Sequence, residues 1–189
     1  MALRLATGNP HKLREFEGLL DGVGFVGLPE GFEMPEETGE SFAENALIKA
    51  RALAQATGEP AIADDSGICV ERLGGRPGVR SARWAGEEAT DEENLQLLLE
   101  STEPGDRLEY VCVIAWVDPA AGEERTFEGR CGGRRSAQPR GSGGFGYDPA
   151  FEPAEFPGRT MAELEPGEKD AISHRGLAAR ELREWLEGR

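Results

Sequence analysis

Residues 41–65, SFAENALIKARALAQATGEPAIADD, decide the fold class. Ser41 with Glu44 three residues on is a capping-box pattern, which opens a helix. Phe42, Ala46, Ala50, Leu53 and Ala54 recur at the spacing of one helical face, and Gly58 closes the segment. Directly behind it, PAIADD reads as a strand. A helix that feeds straight into a strand is the building unit of an α/β chain.

The alternation extends in both directions. Residues 2–6 (ALRLA) predict a short buried strand. The following helix carries Leu13, Phe16, Leu19 and Leu20 on one face, with Asn9 as N-cap and Pro10 at its first position. Residues 24–28 (GFVGL) predict a second strand. Beyond Asp65, the pair Ser66-Gly67 predicts a turn before ICVERL. Thr90 with Glu93 repeats the capping box and opens a helix around 94–99. Residues 107–118 and 123–136 predict two long strands joined as a hairpin through DPAAG. After a Gly- and Pro-rich stretch, the chain is predicted to end in a helix over roughly 172–187, with Leu182, Trp185 and Leu186 on its apolar side. Early alternation and a late hairpin together predict a mixed sheet.

A length of 189 residues bounds the chain to one domain or two tightly joined lobes. At 38% hydrophobic and 30% charged, it reads as soluble and globular. No apolar run approaches the roughly 20 residues that span a bilayer, so no membrane partner is expected. The start MALRLATGNP lacks the apolar core of a secretory signal, and a cytoplasmic location is expected. A net charge of −15 excludes a basic nucleic-acid groove. It leaves room for a small anionic ligand where local cations and a metal ion offset the field. Cys69, Cys112 and Cys131 form no C-x-x-C pair, so reduced, partly buried thiols are expected.

Only three of the 21 cationic side chains are lysines: Lys12, Lys49 and Lys169. Each sits in a polar cluster: TGNPHK, SFAENALIKA and EKDAISHR. An ammonium is a compact point charge where guanidinium is a planar fork, so either a composition bias puts arginine wherever both serve, or these are places where arginine does not substitute. TGNPHK lies between a strand and a helix start, where N–H groups and the helix dipole favour phosphate. Alone, it serves equally as an ordinary N-cap with a solvated lysine. In ADDSG, Asp64 and Asp65 point to opposite faces of a strand. A carboxylate there can hold Mg²⁺ or take a proton from water, or simply cap a turn. The acidic run MPEETGE (Glu36, Glu37, Glu40) is a solvated loop unless it folds against Asp65 to share a metal.

GSGGFG at 141–146 matches G-x-G-x-x-G but runs into Tyr147-Asp148-Pro149, where no helix can start. The dinucleotide reading therefore fails. What remains is a glycine loop with an aromatic tip, either a stacking face or a flexible surface turn. Lys169, His174 and Arg175 stand together near the last helix, suited to a base edge or a phosphate.

Taken together, TGNPHK, ETGESFAENALIKA, ADDSGICVERLGGRPGVRSARWAG, GSGGFGYDPAFEP and RTMAELEPGEKDAISHRG span nearly the whole chain. In this order they resemble the inosine triphosphate pyrophosphatase family. The resemblance implies hydrolysis of non-standard purine nucleoside triphosphates (ITP, dITP, XTP) to the monophosphate and pyrophosphate, with Mg²⁺. It also implies one domain over 1–189, an elongated two-lobed α/β fold around a long mixed sheet, a nucleotide cleft between the lobes, and a homodimer. By the same resemblance, Thr7, Gly8, Asn9 and Lys12 look like the triphosphate loop and Lys49 like a second phosphate-facing cation. Glu36 and Asp65 look like the metal carboxylates, with Asp65 also the base for the attacking water and Ser66 beside it. Phe145, Gly146, Tyr147 and Asp148 look like the base and sugar pocket. Lys169, His174 and Arg175 look like the groups that read the base edge. A modified-pyrimidine pyrophosphatase and a non-catalytic nucleotide binder are the rival readings.

Overall fold

The computed structural model describes residues 2–189. Among these, the chain runs β1 (Ala2–Leu5), α1 (Pro10–Leu19), β2 (Gly24–Val26), α2 (Phe42–Thr57), β3 (Ala61–Val70), α3 (Asp91–Ser101), β4 (Arg107–Asp118), β5 (Glu123–Arg135), β6 (Phe151–Pro153), α4 (Pro166–Ile172) and α5 (His174–Glu187). The strands form one mixed sheet in the order β2-β1-β3-β4-β5-β6. β1 is parallel to both β2 and β3, whereas β5 and β6 are antiparallel. An α/β chain with a mixed sheet is what the sequence predicts. None of the described helices is long and apolar enough to cross a membrane.

Local chemistry explains most boundaries. Asn9 caps α1 by accepting from His11 N and Lys12 N, and Pro10 fills the first helical position. Both predicted capping boxes form, at Ser41–Glu44 and Thr90–Glu93, and Gly58 ends α2 in the left-handed conformation at φ 70°. Asp118 Oδ1 accepts from Ala120 N and Ala121 N, tightening the hairpin turn between β4 and β5.

The predicted turn at Ser66-Gly67 does not occur, because β3 continues through it to Val70. Gly67 is instead a packing glycine. A Cβ there would lie 2.3 Å from Ser81 Oγ and 2.5 Å from Gly78 O. Ser81 Oγ uses that space to accept from Ile68 N at 2.9 Å and to donate to Gly78 O at 2.6 Å. Gly67→Ala is therefore expected to cost about 1–3 kcal/mol. A denaturant midpoint equal to the parent's would remove this role.

The predicted last helix is α5, and a short helix that the sequence reading did not include, α4, precedes it. α4 begins at Pro166 behind a Glu165–Glu168 capping box, and Ser173 adopts extended φ/ψ between α4 and α5. Ser173 Oγ accepts from Gly176 N at 3.0 Å, so the break is a built N-cap for α5.

Backbone contacts divide the chain into two units. The first holds the chain up to Asp65 with Cys112–Gly129 and Ala178–Arg189; the second holds Ser66–Val111 and Arg130–Leu177. In the first unit β4 is buried on both faces. Cys112, Ile114 and Trp116 pack with Leu3, Leu5, Phe16 of α1 and Leu182 of α5. Val113, Ala115 and Val117 pack with Ala46, Ala50, Leu53 and Ala54 of α2. The second unit has its own core, including Ile68, Val70, Leu98, Tyr110, Cys131, Phe151 and Met161. All three cysteines are free thiols, and burial pushes the Cys131 thiol up to about 12, which leaves it inert at neutral pH.

Candidate active site

In the first unit, β1 delivers the TGNPHK loop to the start of α1. Thr7 Oγ1 accepts from Asn9 N at 3.1 Å, which shapes the loop. The helix-start N–H groups that the sequence offers to phosphate are already in use: His11 N and Lys12 N donate to Asn9 Oδ1 at 2.8 and 3.3 Å. An anion here would therefore be left to the rest of the loop and to the Lys12 ammonium. Space at Gly8 is open, since a Cβ there would meet nothing within 4 Å.

Asp64 and Asp65 do face opposite ways, and each meets a lysine from a different helix. Asp64 Oδ2 accepts from Lys12 Nζ of α1 at 2.8 Å, and Cys112 Sγ lies 3.9 Å from the same oxygen. Asp65 turns to α2, where Oδ2 accepts from Asn45 Nδ2 at 3.1 Å and Oδ1 lies 3.8 Å from Lys49 Nζ. Asn45 and Lys49 are four residues apart, hence on one face of α2. Lys49 Nζ also donates to Glu37 Oε1 at 2.6 Å. Of the acidic run, Glu37 rather than Glu36 joins the cluster, while Glu36 is exposed.

Asn45 is a site residue that sequence reasoning misses. It is fully buried, and its Oδ1 accepts from Gly39 N at 2.8 Å while its Nδ2 holds Asp65. It thus ties the acidic loop to Asp65. Its four-residue spacing from Lys49 is the signal available in the sequence.

Burial raises the Asp65 carboxyl above its ordinary range; Lys49, Asn45 and Lys12 pull it back only in part, and Glu37 adds to the rise. For Lys49, burial works against the charge, but Asp64, Asp65 and Glu37 outweigh it and the ammonium stays firmly protonated. A carboxylate shifted toward neutrality beside a permanent cation suits a general base.

This donor set fits a hard divalent cation. It offers carboxylate oxygens from Asp65 and Glu37, both gathered on Lys49. Among the described residues no three metal-binding side chains converge. Mg²⁺ characteristically takes one or two carboxylates and leaves its other positions to water and substrate phosphates.

In the second unit, the glycine loop and the α4–α5 break build another cluster. Phe145 is the half-buried tip of the loop. Lys169 Nζ lies 5.3 Å and Arg175 Cζ 5.8 Å from its ring centroid. Arg175 Nη2 donates to Ser66 Oγ at 2.9 Å. Two of the predicted pocket residues lie beneath the loop rather than at its tip. Tyr147 is buried and donates to Ser81 O at 2.6 Å; Asp148 is buried and accepts from Phe145 N and Lys169 Nζ. Gly146 N donates to Asp91 Oδ2 at 3.0 Å, anchoring the loop to α3. Gly144 must lack a side chain, because a Cβ would lie 2.0 Å from Asp148 Oδ2 and 3.1 Å from Lys169 Nζ. His174 opens α5 and lies buried beside Tyr110.

Residues 3–185 match the model of the Ham1 family. A dITP/XTP pyrophosphatase of Cutibacterium acnes is 52% identical over 189 aligned residues, covering 94% of this chain and 92% of that protein. The solved structure of a HAM1 protein from Coxiella burnetii superimposes with a TM-score of 0.89 at 41% identity, covering both chains completely. That of a nucleoside-triphosphatase / dITP/XTP pyrophosphatase from Mycobacterium abscessus has 47% identity and a TM-score of 0.75, covering 96% of this chain and 98% of that one. The resemblance drawn from the five motifs is thus met over nearly the full length, and this chain belongs to the Ham1 family.

Proposed function

We propose that this chain hydrolyses non-standard purine nucleoside triphosphates (ITP, dITP and XTP) to the monophosphate and pyrophosphate with Mg²⁺. The observation that carries this is the first-unit cluster: Asp65, raised by burial, beside Lys49, Glu37 and Asn45. Relatives named dITP/XTP pyrophosphatases support the substrate class.

The residues divide the work. Lys12 and Lys49 face the polyphosphate as compact charges. Asp65 accepts the proton of the attacking water while the α–β phosphoanhydride bond breaks and pyrophosphate leaves. Glu37 and Asp65 would hold the metal, which when bound offsets charge on the phosphates. In the second unit, Phe145 offers a stacking face. Lys169 and Arg175 can only donate, so they match a 6-oxo group and leave adenine's 6-amino group opposed to a donor. An unpaired donor in a dry pocket is heavily penalised, which selects hypoxanthine and xanthine over adenine. The same reading includes a homodimer, supported by the family resemblance and testable by sedimentation equilibrium.

The decisive measurement is pyrophosphate release from ITP, dITP, XTP, GTP, ATP and dUTP, with and without Mg²⁺. Release confined to the non-standard purines and dependent on the metal is expected. Preference for dUTP would turn the reading to a pyrimidine enzyme, and ITP binding without release would turn it to a nucleotide sensor.

A further inference from the structure

We propose that Tyr110 is a positioning residue for base selection: its ring fixes His174, and its hydroxyl fixes Lys169 through Asp148. The assignment rests on the proposed function, in which Lys169 faces the base, and on the family resemblance, by which His174 joins it. Tyr110 lies on β4, far in sequence from every motif, and nothing in its local sequence marks it.

Three contacts carry the assignment. The Tyr110 ring stacks on the His174 ring with centroids 4.6 Å apart and planes 9° from parallel. Its hydroxyl donates to Asp148 Oδ1 at 3.0 Å. The other Asp148 oxygen, Oδ2, accepts from Lys169 Nζ at 2.9 Å and from Phe145 N at 3.2 Å. One buried tyrosine thus touches the imidazole directly and reaches both the lysine and the aromatic tip through a single carboxylate.

The geometry leaves Asp148 little freedom. With Oδ1 engaged by the phenol, Oδ2 is aimed at Lys169, and Gly144 closes the space beside it. Burial, followed by the Asp148 charge, pushes the Tyr110 phenol well above its ordinary range, so it remains a donor. Without the hydroxyl, Asp148 can rotate and the ammonium loses its fixed position. Phe151, 4.4 Å from the Tyr110 ring, holds the ring in place whether or not the hydroxyl is present. Tyr110→Phe therefore separates positioning from packing.

The test is steady-state kinetics of the full chain with Mg²⁺ on ITP and ATP. In Tyr110→Phe, KM for ITP is expected to rise and the ITP-over-ATP ratio of kcat/KM to fall, each about tenfold, the scale of one charge-assisted hydrogen bond. The kcat for ITP and the melting temperature are expected to stay near the parent's. Asp148→Asn, which weakens the same bond from its other end, is expected to lower the ratio as well. In a Lys169→Ala background, Tyr110→Phe is expected to change the ratio by less than about twofold, because a residue acting through Lys169 has nothing left to position. An unchanged ratio in both single variants overturns the assignment. So does an equal loss on ITP and ATP with a lowered melting temperature, or an undiminished effect of Tyr110→Phe without Lys169. A parent chain that releases no pyrophosphate from ITP fails the proposed function itself; an active parent with an unaltered variant fails only Tyr110.

Discussion

Asp65→Asn is expected to lower pyrophosphate release from ITP by about a thousandfold or more, since a general base contributes about 10²–10⁴ and this carboxylate would also be a metal ligand. The substitution keeps the shape and the contact with Asn45 Nδ2, now to an amide oxygen. Nucleotide affinity, measured calorimetrically, is expected to survive within about tenfold, because Lys12, Lys49 and the second-unit cluster are untouched. A variant with more than about a tenth of parental kcat would remove Asp65 from the base role.

The same variant has a second, opposite signature. Burial raises the Asp65 carboxyl in the fold. An acid whose folded-state pKa is raised binds its proton more tightly when folded. Its stabilising contribution is present below the unfolded pKa and is lost as pH rises through the folded value. At neutral pH the ionised Asp65 is therefore a cost, which Asn does not carry. In metal-free buffer Asp65→Asn is expected to melt no lower than the parent at pH 7, and any advantage is expected to vanish as pH falls through the raised value. A lower melting temperature at pH 7 that persists in acid would show the carboxylate to be a structural group.

Lys49→Met carries the second large effect. Lys49 is the main influence holding the Asp65 carboxyl down, and it gathers Glu37 at 2.6 Å. Methionine preserves the buried stem but leaves Glu37 and Asp65 facing each other without a cation. Loss of one preorganised charge near a phosphoryl centre is expected to cost about 10²–10³ in kcat/KM. Lys49→Arg is not expected to restore activity, because a planar fork does not fit where a buried ammonium meets Glu37 and Asp65. Arginine rescue to near-parental kcat/KM would show that charge alone matters at this position.

The fold was largely legible in the chain because its signals are local. Both predicted capping boxes, the α1 cap at Asn9 and the left-handed Gly58 involve residues within four positions of one another. Where local signals mislead, the cause is a distant atom. Ser66-Gly67 has the composition of a turn, yet Ser81, fourteen residues beyond Gly67, makes the glycine a close-packing position inside β3. The α4–α5 break was legible in principle, since Glu165, Pro166 and Glu168 form a helix start.

By itself, the sequence determined the α/β class, the helix starts and the set of polar clusters, because caps, periodicity and residue chemistry act over one or two turns. Only the tertiary structure decided which members of each cluster meet. Glu37 reaches Lys49 where Glu36 does not, Asn45 joins Asp65 across twenty residues, and Asp148 becomes a buried hub for Tyr110 and Lys169. Each of these depends on which side of a strand or helix a side chain leaves, and on what a remote element brings to that side. A short-range pattern carries no record of that distance.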